Sequence, residues 1–203
     1  MAIKPILFNT EMVRAILDGR KTCTRRIVRP PYFVDGDEND KRSLITLRTA
    51  TKNSSLYRQI GQMPYPDAPY RMCDILYVRE TWMDYAGLTM YKADCDIYRL
   101  DSLNLAGFGW KPSIHMPKEA ARIWLKVTDV RVERLQEITL EQICREGVEI
   151  EYPYVLNGEE KIYAFSNLWN STIKKSDLDR YGWDANPWVW VIEFERCEKP
   201  ENL

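Results

Sequence analysis

The run Gly19-Arg20-Lys21-Thr22-Cys23-Thr24-Arg25-Arg26-Ile27-Val28-Arg29-Pro30 sets five cations and two threonine hydroxyls in one short segment. Just before it, Met12, Val13, Ile16 and Leu17 recur at helical spacing, which predicts one buried helix face. Gly19 follows where a helix takes a left-handed cap, so the helix is expected to stop there. From Thr22 to Val28 the residues are β-branched or arginine and predict a strand, with Thr22, Thr24 and Arg26 on one face and Cys23, Arg25 and Ile27 on the other. Pro30 and Pro31 end it. On composition the run reads either as a solvated basic edge strand or as a site for an anionic or polar substrate.

Working outward, Lys4 to Phe8 reads as a strand, and Asn9 or Thr10 can cap the helix because its side-chain oxygen accepts from first-turn amides. Asp74 to Trp82 alternates Ile75, Tyr77, Arg79 and Thr81 against Leu76, Val78, Glu80 and Trp82. Arg79 and Glu80, charged at the end of an apolar strand, read as a rim ion pair or as the mouth of a substrate pocket. Ala120 to Leu135 keeps period two with a break near Thr128 and Asp129, so it is expected as paired strands or one bent strand. Pro187 to Cys197 alternates Trp188, Trp190, Ile192 and Phe194 against Val189, Val191, Glu193 and Glu195, as a central strand does. Thr139 to Gln142 has the form of a capping box; Leu140 and Ile143 are expected inward, Glu146 last, and Gly147 as the stop. Tyr163 to Ile173 fits a helix with Phe165, Leu168, Trp169 and Ile173 on one stripe. These elements predict a single α+β domain over residues 1–203. It is built on a mixed or antiparallel β-barrel with short helices at its ends and loop insertions at about 31–70, 83–118 and 150–186. His115, the sole histidine, reads as structural.

The 203 residues are 45% hydrophobic and 29% charged, enough for a full core. A net charge of −1 excludes capture of nucleic acid by the global field and leaves only local basic patches. Five scattered cysteines without Cys-x-x-Cys, and an N-terminus without an apolar signal core, predict free thiols in a reducing, cytoplasmic setting. No apolar run approaches the roughly 20 residues of a membrane span, so no membrane partner is expected. With one histidine and no paired cysteines, neither a metal site nor a cofactor is expected. There is no internal repeat and no glycine-rich phosphate loop.

Taken together, Gly19-Arg20-Lys21-Thr22-x-Thr24-x-Arg26 after a helix, the Asp74-Ile-Leu strand, the Leu135-x-x-Ile-Thr-Leu helix leading to Glu146-Gly, and the closing Trp188-Val-Trp-Val-Ile-Glu-Phe-Glu strand resemble the ASCH family. That resemblance implies a small β-barrel similar to the PUA domain of RNA-modifying proteins. In its length the chain looks like ASCH proteins of phage and prophage genomes. One branch of the family removes the acetyl group from N4-acetylcytidine, and its catalytic Lys, Thr and Glu fall on Lys21, Thr24 and Glu146, with Arg26 also matching. The chain departs from that branch at Cys73, where the branch has Gly, at Cys23 and Arg25, where it is apolar, and in its insertions.

The resemblance implies a metal-independent amidohydrolase acting on an N4-acylated cytidine or a related modified pyrimidine nucleoside. Such a reaction needs a nucleophile, a base, a donor to the leaving amine and oxyanion stabilisation. Thr24 would attack or position a water. Lys21 would be its base, since lysine, unlike arginine, can give up its proton. Glu146 would protonate the leaving amine and later activate water, and Arg26 would stabilise the oxyanion. Arg20, Thr22, Arg25, Arg26, Arg79 and Glu80 are the expected substrate-binding residues. On chemistry alone Lys21 and Glu146 also read as a plain salt bridge. The alternative function is an RNA-binding module, non-catalytic or ribonucleolytic, with Arg20, Arg25, Arg26 and Arg29 on phosphates and insertion aromatics stacked on bases.

Overall fold

The computed structural model describes residues 1–28, 68–85, 87–96, 109–148 and 158–200. Five strands form the main sheet: β1 (Ile3–Leu7), β2 (Cys23–Ile27), β3 (Ile75–Arg79), β6 (Trp124–Arg134) and β7 (Trp188–Cys197). A separate hairpin pairs β4 (Trp82–Tyr85) with β5 (Leu88–Tyr91). The sheet order is β1-β3-β6-β7-β2; β1 runs parallel to β3 and every other pair is antiparallel. The helices are α1 (Thr10–Leu17), α2 (Leu140–Arg145), α3 (Glu159–Ser171) and α4 (Leu178–Tyr181). The α+β expectation is met. Among the described residues no helix is long and apolar enough to cross a membrane.

The barrel is not closed by a ladder: among the described residues β1 and β2 are the sheet's two edges. Laid flat, those edges would stand roughly 19 Å apart across strands spaced about 4.8 Å, too far for a side chain to join them. Yet Arg26 Nη2 donates to the Leu7 carbonyl at 2.8 Å, so the sheet curls until its edges nearly meet. Phe8 stands in the seam, its ring 5.4 Å from the Arg26 guanidinium and 6.2 Å from the Phe194 ring. A side chain and an aromatic ring occupy the place of the expected backbone ladder.

Strand parity follows the sequence reading over most of its length. In β2, Thr24 lies opposite Ile192 and Arg26 opposite Trp190, on the inner face; Arg25 and Ile27 lie opposite Val191 and Val189, on the outer face. Both faces of β7 are covered. Trp190, Ile192 and Phe194 join Ile6, Leu76, Val78 and Leu125 inside the curl, while Val189 and Val191 pack with Phe165 and Trp169 of α3 outside it. The break expected near Thr128 is a register shift between Val127 and Asp129 in one continuous β6. Two readings fail. Trp82 packs with Ile75 and Trp124 rather than with Leu76, because β3 ends at Arg79 and the chain turns into β4. Leu140 stays 43% exposed beside buried Ile143, since a six-residue helix presents too little surface to cover both.

The insertion expected at 31–70 lies outside the described residues apart from 68–70, as do Arg29, Pro30 and Pro31. The described part of 83–118 contains β5, and that of 150–186 contains α3 and α4. All five cysteines are free.

Candidate functional site

Two helix ends and one strand start meet at the site. The α1 helix is capped by Asn9 Oδ1, which accepts from the Met12 amide at 2.8 Å, and ends at Gly19 with φ +76°. The turn brings the Lys21 amide to the Ala15 carbonyl at 2.9 Å and the Thr22 amide to the Arg145 carbonyl at 2.8 Å. The α2 helix starts in a complete capping box: the Gln142 amide donates to Thr139 Oγ1 at 3.2 Å and the Thr139 amide donates to Gln142 Oε1 at 2.9 Å. It ends at Glu146, and Gly147 follows at φ +79°. A Cβ at Gly147 would stand 2.7 Å from Ala15 Cβ and 2.9 Å from Lys21 Cβ. Only glycine lets the two helix ends come this close.

Lys21 Nζ donates to Glu146 Oε2 at 2.7 Å and to the Glu146 carbonyl at 2.8 Å, across 125 residues of sequence. The side chains are 2% and 7% exposed, so this ion pair is buried. Glu146 Oε1 accepts from Arg25 Nη1 at 3.0 Å; Arg25 Nη2 donates to Glu133 Oε2 at 3.2 Å and to Gln142 Oε1 at 3.0 Å. Glu133 in turn accepts from Arg131, which also bonds Asp129 and Glu193. The Glu146 carboxylate is thus held on both oxygens and cannot rotate without breaking a chain of ion pairs that reaches the sheet's outer face. A buried pair of this kind earns little net stability but is costly to break by halves.

A cavity of about 180 Å³ opens on this pair, lined by Lys21, Thr24, Arg25, Arg26 and Glu146 with Phe8, Phe165 and Trp169 among its apolar walls. Lys21 Nζ lies 5.5 Å from the centre of the Phe8 ring. Thr24 is buried, and among the described residues its hydroxyl has no hydrogen-bond partner. Burial pushes the Cys23 thiol up to about 12, with the Glu146 charge adding to it, so beside Thr24 the chain holds a protonated sulfur that does not compete as nucleophile. Burial lowers the Arg26 pKa, opposed by Tyr70 and Glu146; arginine keeps its charge regardless.

Of the expected substrate-binding residues, Arg25 and Arg26 line this cavity and the others do not. Arg20 Nη2 pairs with Asp18 at 2.9 Å and Nη1 donates to the Gly147 carbonyl. Thr22 Oγ1 accepts from Arg145 Nε at 3.2 Å. Arg79 Nε donates to the Met116 carbonyl at 2.8 Å, and Glu80, 1% exposed, receives Arg122 Nε at 2.9 Å and Nη2 at 3.1 Å. The Arg79 and Glu80 side chains are thus held by Met116 and Arg122 and are not among the residues lining the cavity, although the Arg79 carbonyl accepts from the amide of Phe8, which does line it.

No family model and no curated protein sequence matches the chain. Two solved structures are similar to it in outline. The hypothetical protein PH0355 aligns with a TM-score of 0.36 at 15% identity, over 97% of this chain and 100% of its own. An ASCH domain from Lactobacillus crispatus aligns with a TM-score of 0.39 at 9% identity, over 96% of this chain and 79% of its own.

Sequence reasoning missed the aromatic walls of the cavity. Phe165 and Trp169 show only a helical apolar stripe, which says that they are covered and not by what. Phe8 follows the last residue of β1 and carried no signal beyond its apolarity.

Proposed function

We propose that the chain is a long ASCH-type, PUA-like protein that hydrolyses the exocyclic amide of an N4-acylated cytidine or a related modified pyrimidine nucleoside, without a metal. The observation that carries this reading is the buried Lys21–Glu146 pair facing the same cavity as the unpartnered Thr24 hydroxyl. The 2.7 Å contact lets the ammonium proton pass from Lys21 to Glu146. The neutral amine then takes the Thr24 proton as Oγ1 bonds to the acyl carbon, and Arg26 receives the oxyanion. On collapse, Glu146 gives its proton to the departing amine of cytosine and is again a carboxylate. A water repeats the attack on the acyl-Thr24 ester and releases the carboxylic acid. The aromatic walls suit a flat pyrimidine ring.

The RNA-binding alternative draws less support from the site. Of its four arginines, Arg20 is paired with Asp18, Arg29 lies outside the described residues, and of the two at the cavity Arg25 is 1% exposed and ion-paired while Arg26 donates to the Leu7 carbonyl. The test is mass-spectrometric assay of the purified chain with N4-acetylcytidine. Release of cytidine and acetate, lost in Thr24→Val, is expected. No turnover at stoichiometric enzyme, together with oligonucleotide binding that weakens steeply with salt, overturns the reading in favour of RNA binding.

A further inference from the structure

Beside the catalytic cavity lies a larger one of about 430 Å³, lined by Arg25, Arg26, Trp169, Thr172, Lys174 and Asp177 among others. It shares Arg25, Arg26, Trp169 and Thr172 with the smaller cavity, so the two adjoin at these side chains. The smaller cavity, at about 180 Å³, is tight for a whole nucleoside, since ligand pockets generally begin at about 300 Å³. It takes a pyrimidine ring with its acyl group. The sugar and whatever it carries must lie in the neighbouring space.

That space holds a cation open to solvent. It is not Arg25, whose Nη groups are both engaged and whose Nε, though without a partner, is sealed from solvent. Arg26 uses Nη2 on the Leu7 carbonyl. Lys174, just after α3, is exposed and makes no ion pair among the described residues. Asp177, the one carboxylate among the described lining residues, accepts from Ser176 Oγ at 3.3 Å and can also accept from sugar hydroxyls.

Resting on the amidohydrolase reading, we infer that the larger cavity is a subsite for a ribose phosphate, so that the substrate is a nucleotide and not a free nucleoside. The phosphate is either that of a mononucleotide or that of an RNA strand. Lys174 meets its oxygens, and the cytosine points toward Lys21 and Glu146.

The experiment is calorimetric binding of cytidine, cytidine 5′-monophosphate, inorganic phosphate and a short cytidine-containing RNA to the full chain, wild type and Lys174→Glu. The monophosphate is expected to bind roughly tenfold tighter than cytidine, the gain of about one charge-assisted hydrogen bond. In Lys174→Glu that ratio is expected to fall to about one, and in Lys174→Arg to return. RNA binding tighter than the monophosphate assigns the phosphate to a strand; equal or weaker binding assigns it to a mononucleotide. Equal affinity for cytidine and its monophosphate in the wild type, or a ratio untouched by Lys174→Glu, overturns the subsite. Deacetylation scored separately keeps the two readings apart. Turnover without a phosphate gain sinks the subsite alone, and a Lys174-dependent gain without turnover sinks the hydrolase reading alone.

Discussion

At the scale of single residues, the contrast between Thr24 and its neighbours is chemical. Lys21 and Arg25 are both bound to Glu146, whereas Thr24 lines the cavity and its hydroxyl has no protein partner among the described residues. A hydroxyl in that condition contributes nothing to stability by hydrogen bonding, so Thr24→Val is expected to leave thermal unfolding unchanged or slightly raised while abolishing turnover of the acylated nucleoside. Calorimetry and the mass-spectrometric assay check the two halves; a large loss of stability with activity kept would refute the role. Cys73 is the opposite case, a residue carrying a conformational cost. Its φ of +68° lies in the left-handed region, where a side chain costs roughly 1–2 kcal/mol. Cys73→Gly recovers that cost less the added chain entropy of glycine, about 0.5–1 kcal/mol, so urea denaturation should show a gain of up to about 1.5 kcal/mol.

At the scale of elements, the site depends on how closely the C-terminal ends of α1 and α2 approach. The two helices meet end to end through backbone bonds from Lys21 and Thr22 to Ala15 and Arg145, and Gly147 is the point of contact. Gly147→Ala adds a methyl that must displace Ala15 and Lys21 and also strains a positive φ. The expected outcome is a loss of at least about 2 kcal/mol in chemical denaturation, with turnover reduced beyond what the unfolded fraction explains, since Lys21 and Glu146 move apart. The mirror expectation concerns Thr139: Thr139→Ala removes the cap of α2 at about 1 kcal/mol and leaves the Gly147 contact in place.

At the scale of the whole molecule, the parallel β1–β3 pair is tied by one carboxylate. Asp74 accepts from Lys4 at 2.9 Å, from the Ala2 amide at 2.8 Å and from the Arg71 amide at 3.0 Å. Burial alone would raise its pKa; the Lys4 hydrogen bond and the Ala2 and Arg71 amides outweigh burial and hold the carboxyl below its usual range. With the folded value below the unfolded one of about 3.9, the stabilisation is present above about pH 4 and is lost as pH falls through the folded value. Asp74→Asn is therefore expected to cost about 1–3 kcal/mol near neutrality, with the gap between variant and wild type narrowing below pH 4. Urea titrations at several pH values read this directly, and a gap constant with pH would refute the linkage.

The short-range alternations and caps were legible in the sequence. The Asn9 cap, the Thr139 capping box, the glycine stops at Gly19 and Gly147, the two faces of β2 and the doubly buried β7 each depend on neighbours within a few residues, and the chain carries them locally. What lay beyond it was every distance across the sheet. No local pattern states that the sheet curls but stops short of closing, with Arg26 and Phe8 in the seam, because closure depends on which edges meet. Nor does one state that Arg79 is held by the Met116 carbonyl and Glu80 by Arg122, since those partners lie about 40 residues further along the chain. The motif Lys21, Thr24 and Glu146 named the residues. Their meeting across 125 positions, the Arg25 clamp on Glu146 and the aromatic walls from α3 arise only when helix ends and strand faces pack, and burial then fixes which charges pair.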